Sequence, residues 1–159
     1  MPLQILLADD NLAVRSRVRG LLEQQGFEVI GEASDGLEAV RLAQASRPDI
    51  AVLDLAMPVL NGVGAAREIH RCSPKTRMIM LSLYTDDSFV RAALRAGIRG
   101  YVSKAELAEN LPLAILEVAQ GRICLSPSIL QNLGQSPLEE PGVKLHTPDH
   151  SRISNPCIV

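Results

Sequence analysis

Tryptophan is absent from this sequence, and the other aromatic residues amount to two tyrosines and two phenylalanines in 159 residues. A core built on stacked rings is therefore excluded, and Leu, Val, Ile and Ala must supply it, a usage that suits helices laid over a sheet. The three cysteines, Cys72, Cys124 and Cys157, form no CxxC pair and no regular spacing. That argues against both a disulfide framework and a thiolate zinc site. No apolar run approaches the roughly 18 residues of a membrane span, and the Met1-Pro2 start lacks a basic segment followed by an apolar one. The net charge of -2 and pI near 5.9 exclude a chain held to nucleic acid or an anionic membrane by bulk charge. A soluble, cytoplasmic, disulfide-free protein with one core is expected from this length and composition.

Five short apolar runs are present: LQILLA at 3–8, FEVIGEA at 27–33, DIAVLD at 49–54, TRMIMLS at 76–82 and IRGYVS at 98–103. The middle ones are nearly continuous, as strands covered on both faces are. Helical periods lie between them. The first helix, from Asn11, carries Val14, Val18, Leu21 and Leu22 on one face and stops at Gly26. The second, 36–46, turns Leu37, Val40 and Ala43 inward, and the third, 63–71, Val63, Ala66 and Ile69. The fourth, 86–96, offers Phe89, Val90, Ala93 and Leu94, with Asp86-Asp87 as its N-cap. The fifth, 109–120, offers Leu113, Leu116 and Ala119, with Pro112 tolerated in the first turn. Strict alternation of strand and helix predicts an α/β, flavodoxin-like (βα)5 fold, a doubly wound five-stranded parallel sheet of order 2-1-3-4-5.

In such a sheet the functional crevice lies beyond the carboxyl ends of the strands, where connections diverge to opposite faces. Asp9 and Asp10 follow the first strand and Asp54 closes the third, its neighbour in that order. Two like charges roughly 5 Å apart at an effective dielectric near 20 repel by about 3 kcal/mol, so three carboxylates together require cations. Lys104, after the fifth strand, supplies one positive charge. A divalent cation completes the balance, and Mg²⁺ suits an all-oxygen donor set best. Each acid alone could cap a helix or a turn; four such residues at one edge of the sheet point to a site.

These residues resemble the receiver domains of bacterial two-component response regulators, over about residues 2–121. The resemblance rests on ADD after the first strand, DLAMP with Asp54, Asn61-Gly62, Ser82 after the fourth strand, and GYVSK with Tyr101 and Lys104. It implies that Asp54 is the phosphoacceptor for a sensor histidine kinase. It also implies that Asp9, Asp10, Asp54 and the Ala56 carbonyl hold Mg²⁺, that Lys104 and Ser82 bind the phosphoryl group, and that Ser82 and Tyr101 form the switch. Ala56, Met57 and Tyr84 are expected to modulate the pocket. Where the family often has a proline in a cis peptide after the lysine, this chain has Ala105, and a cis bond is not expected there. An aspartyl-nucleophile phosphatase would want an acid at position 56, and a nucleotide-binding fold would want glycines where ADDN stands.

GRICLSPSIL at 121–130 resembles the junction that follows receivers of the NarL/FixJ (LuxR) type. Beyond it KLHTPDHSR is a faint echo of the start of a DNA-binding domain, with only Lys144 and Arg152 as basic residues after 134. The expected organisation is a receiver at 1–121, a linker-like extension at 122–133 and a flexible tail at 134–159. Direct DNA binding by this chain is not expected. Three origins fit: a truncated regulator, a degenerate or frame-shifted one, or a stand-alone receiver acting through protein contacts. The resemblance also implies a homodimer through the region from the fourth strand to the fifth helix.

Overall fold

The five apolar runs become β1 (Gln4–Ala8), β2 (Glu28–Ala33), β3 (Ile50–Asp54), β4 (Arg77–Ser82) and β5 (Gly100–Ser103) in a computed structural model that describes residues 1–133. They pair in parallel in the expected order, and a two-residue strand, β6 (Cys124–Leu125), extends the sheet to 2-1-3-4-5-6. The connecting helices are α1 (Leu12–Gln24), α2 (Gly36–Ser46), α3 (Gly62–Cys72), α4 (Asp87–Arg95) and α5 (Leu107–Ala119), followed by α6 (Pro127–Leu133). None of the described helices is long and apolar enough to cross a membrane.

Alternation along each strand assigns the two faces. Ile5, Leu7, Ile50, Val52, Ile79, Leu81 and Val102 point to α1 and α5, where Val18, Leu22, Leu111 and Ile115 meet them. Leu6, Ala8, Ala51, Leu53, Met78, Met80 and Tyr101 point the other way, against Ala39 and Ala43 of α2, Ala65, Ala66 and Ile69 of α3, and Val90 and Ala93 of α4. The connections after β1 and β3 thus leave to opposite faces, which opens a crevice between their ends. Side-chain caps start the helices at that edge: Asn11 accepts from the Val14 amide at 3.1 Å, Asp35 from Glu38 at 2.8 Å and Asn61 from Gly64 at 2.9 Å.

Several expected positions are corrected. In α2, Ala39 faces the core and Leu37 is 39% exposed. In α4, Val90 and Ala93 are buried while Phe89 lies outside at 37% exposure. Asp86 stands at the N-cap position without a side-chain cap bond, and Asp87 pairs with Arg91 at 2.8 Å instead. The α5 helix starts at Leu107 behind a 3-10 turn at Lys104–Glu106, so Pro112 lies past the first turn. Its buried stripe runs through Leu107, Leu111, Ala114, Ile115 and Val118, leaving Leu116 at 48% exposure. This helix is apolar nearly all round, so its period alone does not choose the buried side.

Residues 122–133, expected as a short ordered, linker-like extension, are built into the sheet edge. Cys124, Leu125, Ser126 and Ile129 are fully buried, and the Ser126 amide donates to the Tyr101 carbonyl at 3.0 Å. The Asn132 amide group reaches the Thr85 carbonyl at 3.1 Å, tying α6 to the loop after β4. The tail expected at 134–159, with Lys144, Arg152 and Cys157, lies outside the described residues.

Candidate functional site

Pairing of Ala8 with Leu53 in the β1–β3 register brings the next residues, Asp9 and Asp54, level with one another at the crevice. Both are buried, at 5% and 6% exposure, while Asp10 is exposed. Each of the three acids offers an oxygen, and these oxygens lie within 4.8 Å of one another. Lys104 extends from the end of β5 across the crevice, with Nζ 2.8 Å from Asp9 Oδ2 and 3.2 Å from Asp54 Oδ1. The Ser103 hydroxyl turns the chain there by accepting from the Ala105 amide at 3.3 Å. Among the described residues no peptide is cis, so the Lys104–Ala105 bond is trans, as expected for alanine.

The electrostatics follow from this placement. Burial, reinforced by the Asp9 charge, raises the Asp54 carboxyl above its ordinary value, against the pull of Lys104 and a bond from the Ala56 amide. Burial works to lower the Lys104 ammonium, but the Asp9 contact and the field of both acids outweigh it and the net shift is upward. One ammonium against three carboxylates leaves two negative charges. Asp9 Oδ1 accepts from the Asn11 amide at 2.9 Å, whereas the buried Oδ2 has the Lys104 ion pair but no aligned hydrogen bond. An oxygen-only donor set with uncompensated charge and an under-satisfied carboxylate atom fits a hard divalent cation.

An open cleft of about 410 Å³ leads to these groups, lined also by Asn11, Val14, Arg17, Ala56, Leu83 and Tyr84. Of the three residues expected to modulate the pocket, Ala56 and Tyr84 line this cleft. Met57 does not: it is buried at 7% exposure in the core under α2 and α3, because β3 runs into a turn that points it inward. Ser82 is fully buried beside the cleft, and its hydroxyl oxygen accepts from the Tyr84 amide at 2.9 Å. Tyr101 is fully buried too, its hydroxyl donating to the Tyr84 carbonyl. Burial pushes the Tyr101 phenol up, with a bond to Ser82 pulling the other way. The Tyr84 ring itself is half exposed and packs against Phe89, centroids 5.4 Å apart.

Sequence reasoning missed Arg17, a cation on the cleft wall. The signal was available: Val14 and Arg17 follow Asp10 by four and seven residues, the spacing of one helix face directed at the acids.

Comparison with known proteins agrees with the geometry. The family described as "Response regulator receiver domain" matches residues 5–116. The response regulator UvrY of Escherichia coli is 33% identical over 138 residues, covering 86% of this chain and 63% of that protein. The transcriptional regulatory protein DegU of Brevibacillus brevis is 35% identical over 132 residues, covering 82% of this chain and 56% of its own length. This chain thus spans about three fifths of those relatives. A crystal structure of a LuxR-family two-component response regulator from Aurantimonas sp. SI85-9A1 superposes with a TM-score of 0.81 at 36% identity, over 85% of this chain and 97% of that one. With the acid cluster at the β1–β3 crevice, its lysine from β5 and a family match over most of the described residues, the chain belongs to the response regulator receiver domains of two-component systems.

Proposed function

We propose that Asp54 accepts a phosphoryl group from the phosphohistidine of a sensor kinase. The observation that carries this reading is the convergence of Asp9, Asp10, Asp54 and Lys104 on one cleft. A carboxylate oxygen of Asp54 forms the new bond to phosphorus as the bond to the donor nitrogen breaks, and the imidazole leaves. An ionised carboxylate needs no general base, so the site has only to orient the donor and offset charge. Lys104, already between Asp9 and Asp54, is placed to hold a phosphoryl oxygen. Asp9, Asp10, Asp54 and the Ala56 carbonyl would hold Mg²⁺, which supplies further charge neutralisation. A hydrolase reading lacks support, since the position for a second acid is Ala56.

The switch follows from the same residues. Phosphorylation replaces about one negative charge with nearly two and adds strong acceptors. The Ser82 hydroxyl, which accepts from the Tyr84 amide, would turn its own proton from the Tyr101 phenol oxygen to them. Such a charged hydrogen bond is worth about 1.5–3 kcal/mol, a ten- to hundredfold change in a two-state ratio. The Tyr101 ring already occupies the inward position and reads the Tyr84 carbonyl. Output then passes to a protein surface, with a homodimer through the β4 to α5 region, where Phe89 and Leu116 are exposed, as the proposed form.

The lifetime of the loaded phosphoryl group tests the reading. Tyr84 covers the cleft and Ala56 cannot orient water, so loss should be slow in the parent and several-fold faster in Tyr84→Ala. Equal lifetimes would remove the role of Tyr84; a chain that never loads the group would remove the function itself.

A further inference from the structure

A partly buried cation on α1, Arg15, reaches the acidic turn. Arg15 Nη1 donates to the Asp9 backbone carbonyl at 2.6 Å, and its Nε faces Glu32 Oε1 on β2 at 3.4 Å. The side chain is only 15% exposed. Arg19, one turn on, binds the other oxygen of Glu32 at 2.7 Å and Glu23 at 2.8 Å, without touching the turn. The carbonyl that Arg15 holds is half of the peptide group joining Asp9 to Asp10. A charge-assisted bond of that length fixes the plane of the peptide, and with it the direction in which Asp10 leaves the backbone.

Asp10 needs such control. It is exposed and makes no hydrogen bond or ion pair of its own among the described residues, whereas Asp9 is held through Oδ1 by the Asn11 amide and through Oδ2 by Lys104. We infer that Arg15 is a positioning residue for cation binding: by pinning the Asp9–Asp10 peptide it aims the Asp10 carboxylate into the cleft. The inference rests on the metal-binding reading above.

The sign of the effect separates positioning from simple electrostatics. Removing a positive charge near an anionic site tightens cation binding by Coulomb's law. Removing an outer-shell partner that orients a ligand weakens it, typically by 10–100-fold. The experiment is Mg²⁺ titration of the whole chain, read by calorimetry and by the melting temperature against Mg²⁺ concentration, with urea unfolding in EDTA alongside. Arg15→Met should bind Mg²⁺ about tenfold more weakly. Arg15→Lys, which keeps a donor, should recover part of the loss, and Arg19→Met, which removes a comparable charge but no bond to the turn, should match the parent. Unchanged or tighter binding in Arg15→Met would overturn the inference, as would an equal loss in Arg19→Met. A parent chain that binds no Mg²⁺ would instead overturn the metal-binding reading.

Discussion

Ending the chain at Gly121 instead of Leu133 is expected to lower its stability by at least the roughly 2–5 kcal/mol that truncating a single buried leucine or isoleucine costs. The cut removes Cys124, Leu125, Ile129 and Leu133, which lie between 0% and 7% exposed. It also strips β5 of its outer neighbour: the Cys124 amide would no longer reach Arg99, nor the Ser126 hydroxyl the Ser103 amide at 3.1 Å. The Tyr101 ring, packed in the same layer as Leu125 and Ile129, would lose cover, and β5 would become an open edge. Urea unfolding of chains ending at 121 and 133 gives the comparison directly. Ile129→Ala and Leu125→Ala repeat it in the full chain, each at about 2–5 kcal/mol. A 1–121 chain with the midpoint of the longer one would show that β6 and α6 merely rest on the domain.

Gly62→Ala is expected to damage both fold and site. A Cβ at this position would stand 2.3 Å from the Asp54 carbonyl oxygen and 2.9 Å from Leu55 Cα, backbone atoms that cannot swing aside. The helix entrance cannot easily retreat either, because the Gly62 amide donates to the Leu55 carbonyl at 2.8 Å and Asn61 caps the Gly64 amide. Overpacking of this kind costs about 1–3 kcal/mol, and relief must come by displacing the strand end that carries Asp54. A displacement of that sort lowers phosphoryl uptake in the fraction that stays folded. Unfolding midpoint and uptake rate, measured on the same sample, check both halves. An alanine variant with parental values in each would mean that the β3–α3 approach is looser than it stands here.

Much of this was legible in the residues. Apolar runs located β1 to β5, most plainly β3, because a strand covered on both faces has few polar positions to blur it. Acids directly after β1 and at the end of β3, with a lysine after β5, located the crevice, since those are ends of strands and parallel order fixes which ends adjoin. What stayed hidden depends on tertiary contact. Cys124-Leu125 is too short to register as a strand until β5 offers it a partner. The inward side of α5 is not fully decided by sequence because Leu116 is as apolar as Leu111, Leu113 and Ile115, and only the sheet shows that Leu116 is the one left outside. Met57 follows Asp54 closely in sequence, yet the turn sends it to the core. The Asn61-Gly62 pair was visible as a motif, but its reason, the approach of α3 to the backbone of Asp54, is visible only in three dimensions.

The central claim is that this chain's own acid cluster and lysine make Asp54 reactive toward a phosphoryl donor. Intact mass after incubation with Mg²⁺ and a small phosphoryl donor tests it most directly, on the parent and on Asp54→Asn. The account predicts one added phosphoryl group on the parent, located on the peptide containing Asp54, lost when EDTA replaces Mg²⁺ during loading, and absent from Asp54→Asn. An unmodified parent chain, or an adduct that survives in Asp54→Asn, would contradict it.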